Sequence, residues 1–233
     1  MKSLHKTFDI LEYVVLQNGQ SVTPSEAAAA LGVNLVTCTR IMGELTDRGY
    51  LVKISRKDGY AAGPMVISLG TRDNVYRRIA SAAAEPITEL SEFLHRQVNI
   101  AVLDQSRRIM LCYHLADAEL KPWNRFFFTD QWDTATGRLL IAAQDDRSAE
   151  KLTASAGVFP FPKEQLDAIR RAGAVRFELN GEIIIGHWVR VSGYPAAAFG
   201  FGIAPERADE AFARSAATAE RIRNLLMKPN FAY

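Results

Sequence analysis

Residues 23 to 48 hold the pattern that most restricts how this chain folds. Thr23-Pro24-Ser25-Glu26 predicts a helix beginning at Pro24: Thr23 caps it, Pro24 suits its first turn and Glu26 completes a capping box. Ala27 to Ala30 and Leu31 continue that helix, and Gly32 breaks it where a tight turn needs the left-handed conformation. Val33 then serves as an apolar peg. Asn34 caps a second helix running to about Arg48, with Cys38, Ile41, Met42 and Leu45 on its buried face. Small residues at Ala27 and Ala28, followed by Leu31, Gly32, Val33, Cys38 and Ile41 in fixed register, give the spacing of a helix-turn-helix. Asn34, Thr37, Thr39 and Arg40 then sit off the buried face, at the start of a helix that fits a DNA major groove. There Arg40 suits a guanine edge or a phosphate, and the threonines suit phosphates or a thymine methyl. The plainer alternative is a solvated helix face.

The flanks complete a winged helix. Leu4, Phe8, Leu11 and Val15 recur at helical spacing and predict the buried face of a first helix ending near Gly19. After Gly49, Tyr50 to Ile54 read as a strand. Arg56-Lys57-Asp58-Gly59 carries a hairpin signal in Asp-Gly, and Tyr60 to Ala62 return before Gly63-Pro64. Arg56 and Lys57 at the hairpin tip are placed for backbone phosphates, although charged tips also keep ordinary hairpins soluble. The formal net charge is only +2. Cations and carboxylates nearly balance over residues 1–70, so any case for DNA rests on where Arg40, Arg56 and Lys57 stand rather than on their number.

Beyond residue 70 the composition stays that of a globular chain, with 48% hydrophobic and 23% charged residues over 233 positions. Thr71 to His95 reads as helix with a break or restart at Pro86, the natural connector between two domains. Strands are expected over 98–104, 109–115, 174–179, 183–191 and 196–203, with Gln105-Ser106-Arg107-Arg108 as a polar turn. Helices are expected near 135–143, 163–172 and 206–227. A mostly antiparallel sheet flanked by segregated helices makes the second domain α+β. The boundaries follow as a winged helix-turn-helix over 1–68, a linker helix over 69–85 and a second domain over 86–233.

Several function classes find no support. No apolar run approaches the roughly 20 residues of a membrane span, and the N-terminus lacks a signal peptide's apolar stretch, so a cytoplasmic protein is expected. Cys38 and Cys112 are isolated and read as core residues. His5, His95, His114 and His187 show no zinc-type spacing, so neither metal nor cofactor is expected. Cys112 and His114 share a strand face without the third group of a nucleophile-base-orienter set, and Glu178 and Glu182 read as solvated carboxylates. No phosphate-binding glycine pattern occurs. No enzyme activity is expected.

The N-terminal stretches together resemble the IclR-type bacterial regulators. The likeness rests on the first helix, on Leu31-Gly32-Val33 with Thr37 and Arg40 downstream, on Asp47-Arg48-Gly49-Tyr50-Leu51, and on Tyr60-Ala61-Ala62-Gly63-Pro64 followed by Leu69-Gly70. Members usually carry a basic or small polar residue early in the recognition helix and an arginine in the wing's return strand. This chain has Leu35, Val36 and Ala61 instead. The resemblance implies a double-stranded DNA operator as partner, a linker helix that helps pair two chains, and a homodimer or dimer of dimers acting as a repressor. It also implies a GAF-like or PAS-like second domain that binds a small-molecule effector.

Within that domain Ala135-Thr136-Gly137-Arg138-Leu139 resembles the family's helix start beside the effector pocket. A helix N-terminus offers free N–H groups and a favourable dipole to a carboxylate, so a small carboxylate or aromatic metabolite is the expected effector. The resemblance places Ala135, Thr136, Gly137, His187, Gly200 and Gly202 around it, and Trp132, just before the helix, reads as part of a lid beside it or as core. Glycine at 200 and 202, where many members carry serine, trades hydroxyl partners for room. Trp123, Arg125, Phe126, Phe127 and Phe128 read as a lid or as core. Two other readings remain: a winged-helix protein-interaction module that binds no DNA, and an enzyme in the second domain.

Overall fold

The computed structural model describes residues 2–116 and 126–228, which form two compact units dividing between Arg72 and Asp73. Trp123 and Arg125 lie outside the described residues.

In the first unit, α1 (Lys2–Val15) precedes α2 (Pro24–Leu31) and α3 (Leu35–Asp47), then β1 (Leu51–Ser55), β2 (Gly59–Ala62) and α4 (Pro64–Gly70). Both halves of the capping box form: the Thr23 hydroxyl accepts from the Glu26 N–H, and the Glu26 carboxylate accepts from the Thr23 N–H at 2.7 Å. Gly32 closes α2 at φ 62°, and the Asn34 side chain accepts from the Val36 and Thr37 N–H groups to open α3. The core runs through Ile10, Val14, Ala27, Cys38, Ile41, Met42, Leu45 and Leu51. On α1 the expected face is shifted. Ile10 and Val14 are the fully buried pair, Leu11 and Val15 are half-buried, and Leu4 and Phe8 are exposed. The α1 apolar band is wider than the rest of the unit can cover, so its early turns stay outside.

The β1–β2 hairpin is antiparallel and tied back to the helices. Val22 and Tyr60 exchange both backbone hydrogen bonds, at 2.7 and 2.9 Å. Gly59 makes this possible: its φ is +83°, and a Cβ there would lie 2.2 Å from the Val22 carbonyl oxygen. At the tip, the Ser55 hydroxyl accepts from the Lys57 and Asp58 N–H groups and donates to the Asp58 carboxylate at 2.7 Å.

The second unit begins with α5 (Val75–Leu94), which runs through Pro86 without interruption. Pro86 is buried, and Ile79, Ala82, Ala83, Ile87, Leu90 and Leu94 form one continuous face, so packing on both sides of the proline overrides its cost. The residues read as a linker and those read as the start of the second domain thus share one helix. There follow β3 (Val98–Asp104), β4 (Arg107–His114), β5 (Phe127–Phe128), α6 (Ala135–Ala142), α7 (Asp146–Ser155), α8 (Lys163–Ala172), β6 (Ala174–Leu179), β7 (Glu182–Val189), β8 (Ala197–Ile203) and α9 (Ala208–Met227). The six strands pair antiparallel throughout in the order β5-β4-β3-β8-β7-β6.

Strand alternation gives the sheet two different faces. Ile100, Val102, Ile185, Phe199 and Phe201 point to α5 and α9. Ala101, Val175, Trp188 and Ala198 point to α6 and α8. Of the elements not expected from the sequence, α7 is capped by Asp145, whose carboxylate accepts from the Ser148 N–H, and α4 starts at Pro64.

Candidate functional site

In the first unit the outward side of α3 is short and mixed. Leu35, Val36, Thr39 and Arg40 are exposed, whereas Thr37 is half-buried. The Thr39 hydroxyl donates back to the Leu35 carbonyl at 2.9 Å, on a residue that is itself exposed. Asn34 spends its carbonyl oxygen on the cap. Arg56 and Lys57 are exposed at the hairpin tip. Both thiols are protonated structural groups: burial raises that of Cys38, and burial pushes that of Cys112 up to about 11.

In the second unit the expected effector residues separate. Thr134 caps α6, accepting from the Gly137 N–H at 3.1 Å. Ala135, Thr136 and Gly137 are buried in its first turn, facing the sheet and the segment before the helix. Gly200 does not open room there, because the Ala135 methyl fills it: a Cβ on Gly200 would lie 2.8 Å from that methyl. The space beside Gly202 is taken by the Glu182 carboxylate, 2.6 Å from an added Cβ. Gly137 lies against the Gln131 backbone. Trp132 is half-buried and packs under the Arg138 guanidinium, which also sits 3.5 Å from the centre of the Phe177 ring.

His187 does not join this group. Its pairing with Phe199 puts it on the α5/α9 face, where its ring lies 4.9 Å from that of Phe212 and lines a cavity of about 320 Å³ with Arg190 and Arg223. Burial first, and the Arg223 charge second, pull its pKa down to about 4. The unfolded chain therefore binds a proton that the folded one refuses between pH 6.5 and 4, and stability falls as pH drops through that window. Taken from pH 6.5 to 5, this amounts to about 2 kcal/mol. Urea midpoints at pH 7 and 5 are expected to show that loss in the native chain and not in His187→Phe.

What α6 does face is a residue the sequence hides. Arg108 lies on β4, opposite Leu103 and not in a turn, and its side chain is only 3% exposed. Its guanidinium donates to the Thr136 hydroxyl at 2.9 Å and to the Asp130 carboxylate at 2.7 Å, and lies 5.0 Å from the Phe128 ring centre. Phe127 and Phe128 form the edge strand rather than a separate lid. The Gln131 amide donates to the Ser106 and Phe128 carbonyls. Among the described residues, Arg108 Nε, Gln131 Oε1 and Asn99 Oδ1 are buried with no hydrogen-bond partner. Asn99 pairs with Gly200 in register, so it shares the α6 face. Buried polar atoms of this kind are rare in folded chains and mark places where a further polar group fits. A signal for this cluster exists in the alternation of Arg108 with Met110. It is ambiguous beside the polar pair Gln105-Ser106.

Among the described residues no group of three or more histidine, cysteine or carboxylate side chains is placed to hold a metal, and no helix is long and apolar enough to cross a membrane.

No family model matches the chain. No curated protein matches it either. Solved structures do. An IclR homolog from Microbacterium hydrocarbonoxydans, complexed with 4-hydroxybenzoate, superposes with a TM-score of 0.75 at 16% identity, covering 96% of this chain and 98% of that one. The IclR-type regulator of Alicyclobacillus acidocaldarius gives 0.70 at 17% identity, covering 96% and 98%. The Thermotoga maritima IclR gives 0.66 at 19% identity, covering 98% and 100%. Over the matched residues, then, the fold of this chain is the one those IclR regulators share.

Proposed function

We propose that the chain is a transcriptional regulator that binds an operator through its first unit and answers to a small carboxylate or aromatic effector in its second. The carrying observation is a helix-turn-helix that leaves Arg40 exposed on α3, beside a hairpin with Arg56 and Lys57 exposed at its tip, in a fold that matches solved IclR regulators over nearly its whole length. For the effector, support comes from the capped N-terminus of α6, the buried Arg108–Thr136–Asp130 cluster and the 4-hydroxybenzoate bound by the Microbacterium homolog. We place the ligand against Arg108, Asn99 and Gln131, with Thr136 beside them. The exposed Leu4 and Phe8 favour a chain that works as a homodimer or dimer of dimers, which matches the symmetric half-sites such proteins read. Repression is the proposed outcome.

Footprinting on the DNA upstream of the protein's own gene, at two salt concentrations, tests the reading. A two-fold-symmetric protected site that weakens with salt is expected. Arg40→Ala is expected to lose about 1–3 kcal/mol of specific binding and to relax the preference at one base position. Unchanged affinity and specificity in that variant would take Arg40 off the reading surface.

A further inference from the structure

We infer that α3 recognises thymine methyl groups, with Leu35, Val36 and the methyl of Thr39 as the contacting surface. The inference rests on the DNA-binding reading above and adds the chemistry by which bases are told apart.

A helix that reads bases by hydrogen bonds needs free donors and acceptors in its first two turns, and here two of the outward polar groups are already engaged. The Asn34 carbonyl oxygen accepts from two backbone N–H groups, and the Thr39 hydroxyl donates to the Leu35 carbonyl. Beside the exposed Arg40, the outward surface is largely apolar. Val36 is 77% exposed and Leu35 48%, high values for side chains that gain by leaving water. Leu35 stands one turn before Thr39, and Val36 one turn before Arg40, so the four share one face. Farther along, the exposed carboxylates of Glu44 and Asp47 balance the exposed Arg40 and Arg48. Such a face does not bind by general attraction to phosphates. That part falls to Arg56 and Lys57 at the hairpin tip, and the only apolar group a major groove offers to Leu35 and Val36 is the C5-methyl of thymine. Arg40, beside them, suits an adjacent guanine.

The test uses the full-length chain and a random pool of DNA duplexes. Selection is expected to enrich sites with neighbouring thymines next to a guanine in each half-site. Those duplexes are then remade with deoxyuridine for thymine, which deletes the methyl and keeps every hydrogen-bonding group. Affinity is expected to fall roughly fourfold per contacted methyl, about fifteenfold for a symmetric pair. In Val36→Ala and Leu35→Ala the penalty for uracil should shrink towards none, while thymine duplexes bind more weakly. The inference is overturned if uracil and thymine duplexes bind the native chain within twofold, or if Val36→Ala and Leu35→Ala keep the full penalty, which would assign it to DNA shape. Failure to enrich any duplex would sink the DNA-binding reading itself, before uracil enters, and would turn the apolar face towards a protein partner.

Discussion

Gly137→Ala is expected to destabilise the second unit by roughly 3–4 kcal/mol, more than most single substitutions. The added Cβ would fall 1.8 Å from the Gln131 carbonyl oxygen and 2.5 Å from its carbon, and both belong to backbone that no rotamer change can move. Nor is that backbone free to retreat. The Gln131 side chain is bonded to the Ser106 and Phe128 carbonyls, and the Thr134 cap closes on Gly137 itself. Relief requires unseating the start of α6, whose next turn carries Leu139, Leu140 and Ile141 into the core. Urea unfolding measures the cost, with Gly43→Ala as control: nothing lies within 4 Å of a Cβ there, and that helix gains up to about 1 kcal/mol. A loss below about 1 kcal/mol in Gly137→Ala would mean the segment before α6 yields easily.

Asp130→Ala should cost about 3 kcal/mol and make stability depend on added carboxylates. Removing one partner of a buried ion pair leaves the other uncompensated, at 3–5 kcal/mol, and the low end applies because the Asp130 side chain is 51% exposed and already screened. Arg108 would keep only neutral acceptors, the Thr136 hydroxyl and, weakly, the Met110 sulfur. Benzoate or acetate in the vacated place should then restore stability, by about 2.7 kcal/mol at a hundred times its dissociation constant. Thermal unfolding of the native chain and of Asp130→Ala across a benzoate series decides it. A variant that loses stability without regaining any would show that the ligand does not bind through Arg108.

The first unit was legible because its signals are local. Thr23, Glu26, Gly32 and Asn34 each act on backbone within four residues, and the structure places them as the sequence predicts. On α1 the buried face differs from the expected one because Leu4 and Phe8 continue the same helical stripe as Leu11 and Val15, and periodicity alone does not say where the covering layer ends. The strands of the second unit were also legible, but not which residues meet across them. Arg108 was hidden because the β3–β4 turn is only Gln105-Ser106, with Gln105 at φ 51° and neither glycine nor asparagine to mark it, so the strand resumes inside what reads as a polar loop. His187 and Trp188 are neighbours on β7, yet one step of alternation gives Trp188 to the face that α6 covers and sends His187 to the opposite one.

If the first unit binds a duplex as proposed, the bridge between Val22 and Tyr60 limits how much order it must acquire on contact. A hairpin free to wave would surrender conformational entropy on contact, about 1 kcal/mol or more for each residue fixed. This one is already stitched to the turn after α1 and locked at its tip by Ser55, so Arg56 and Lys57 arrive in position. For the operator binding proposed above, such preorganisation would offset the small number of cations.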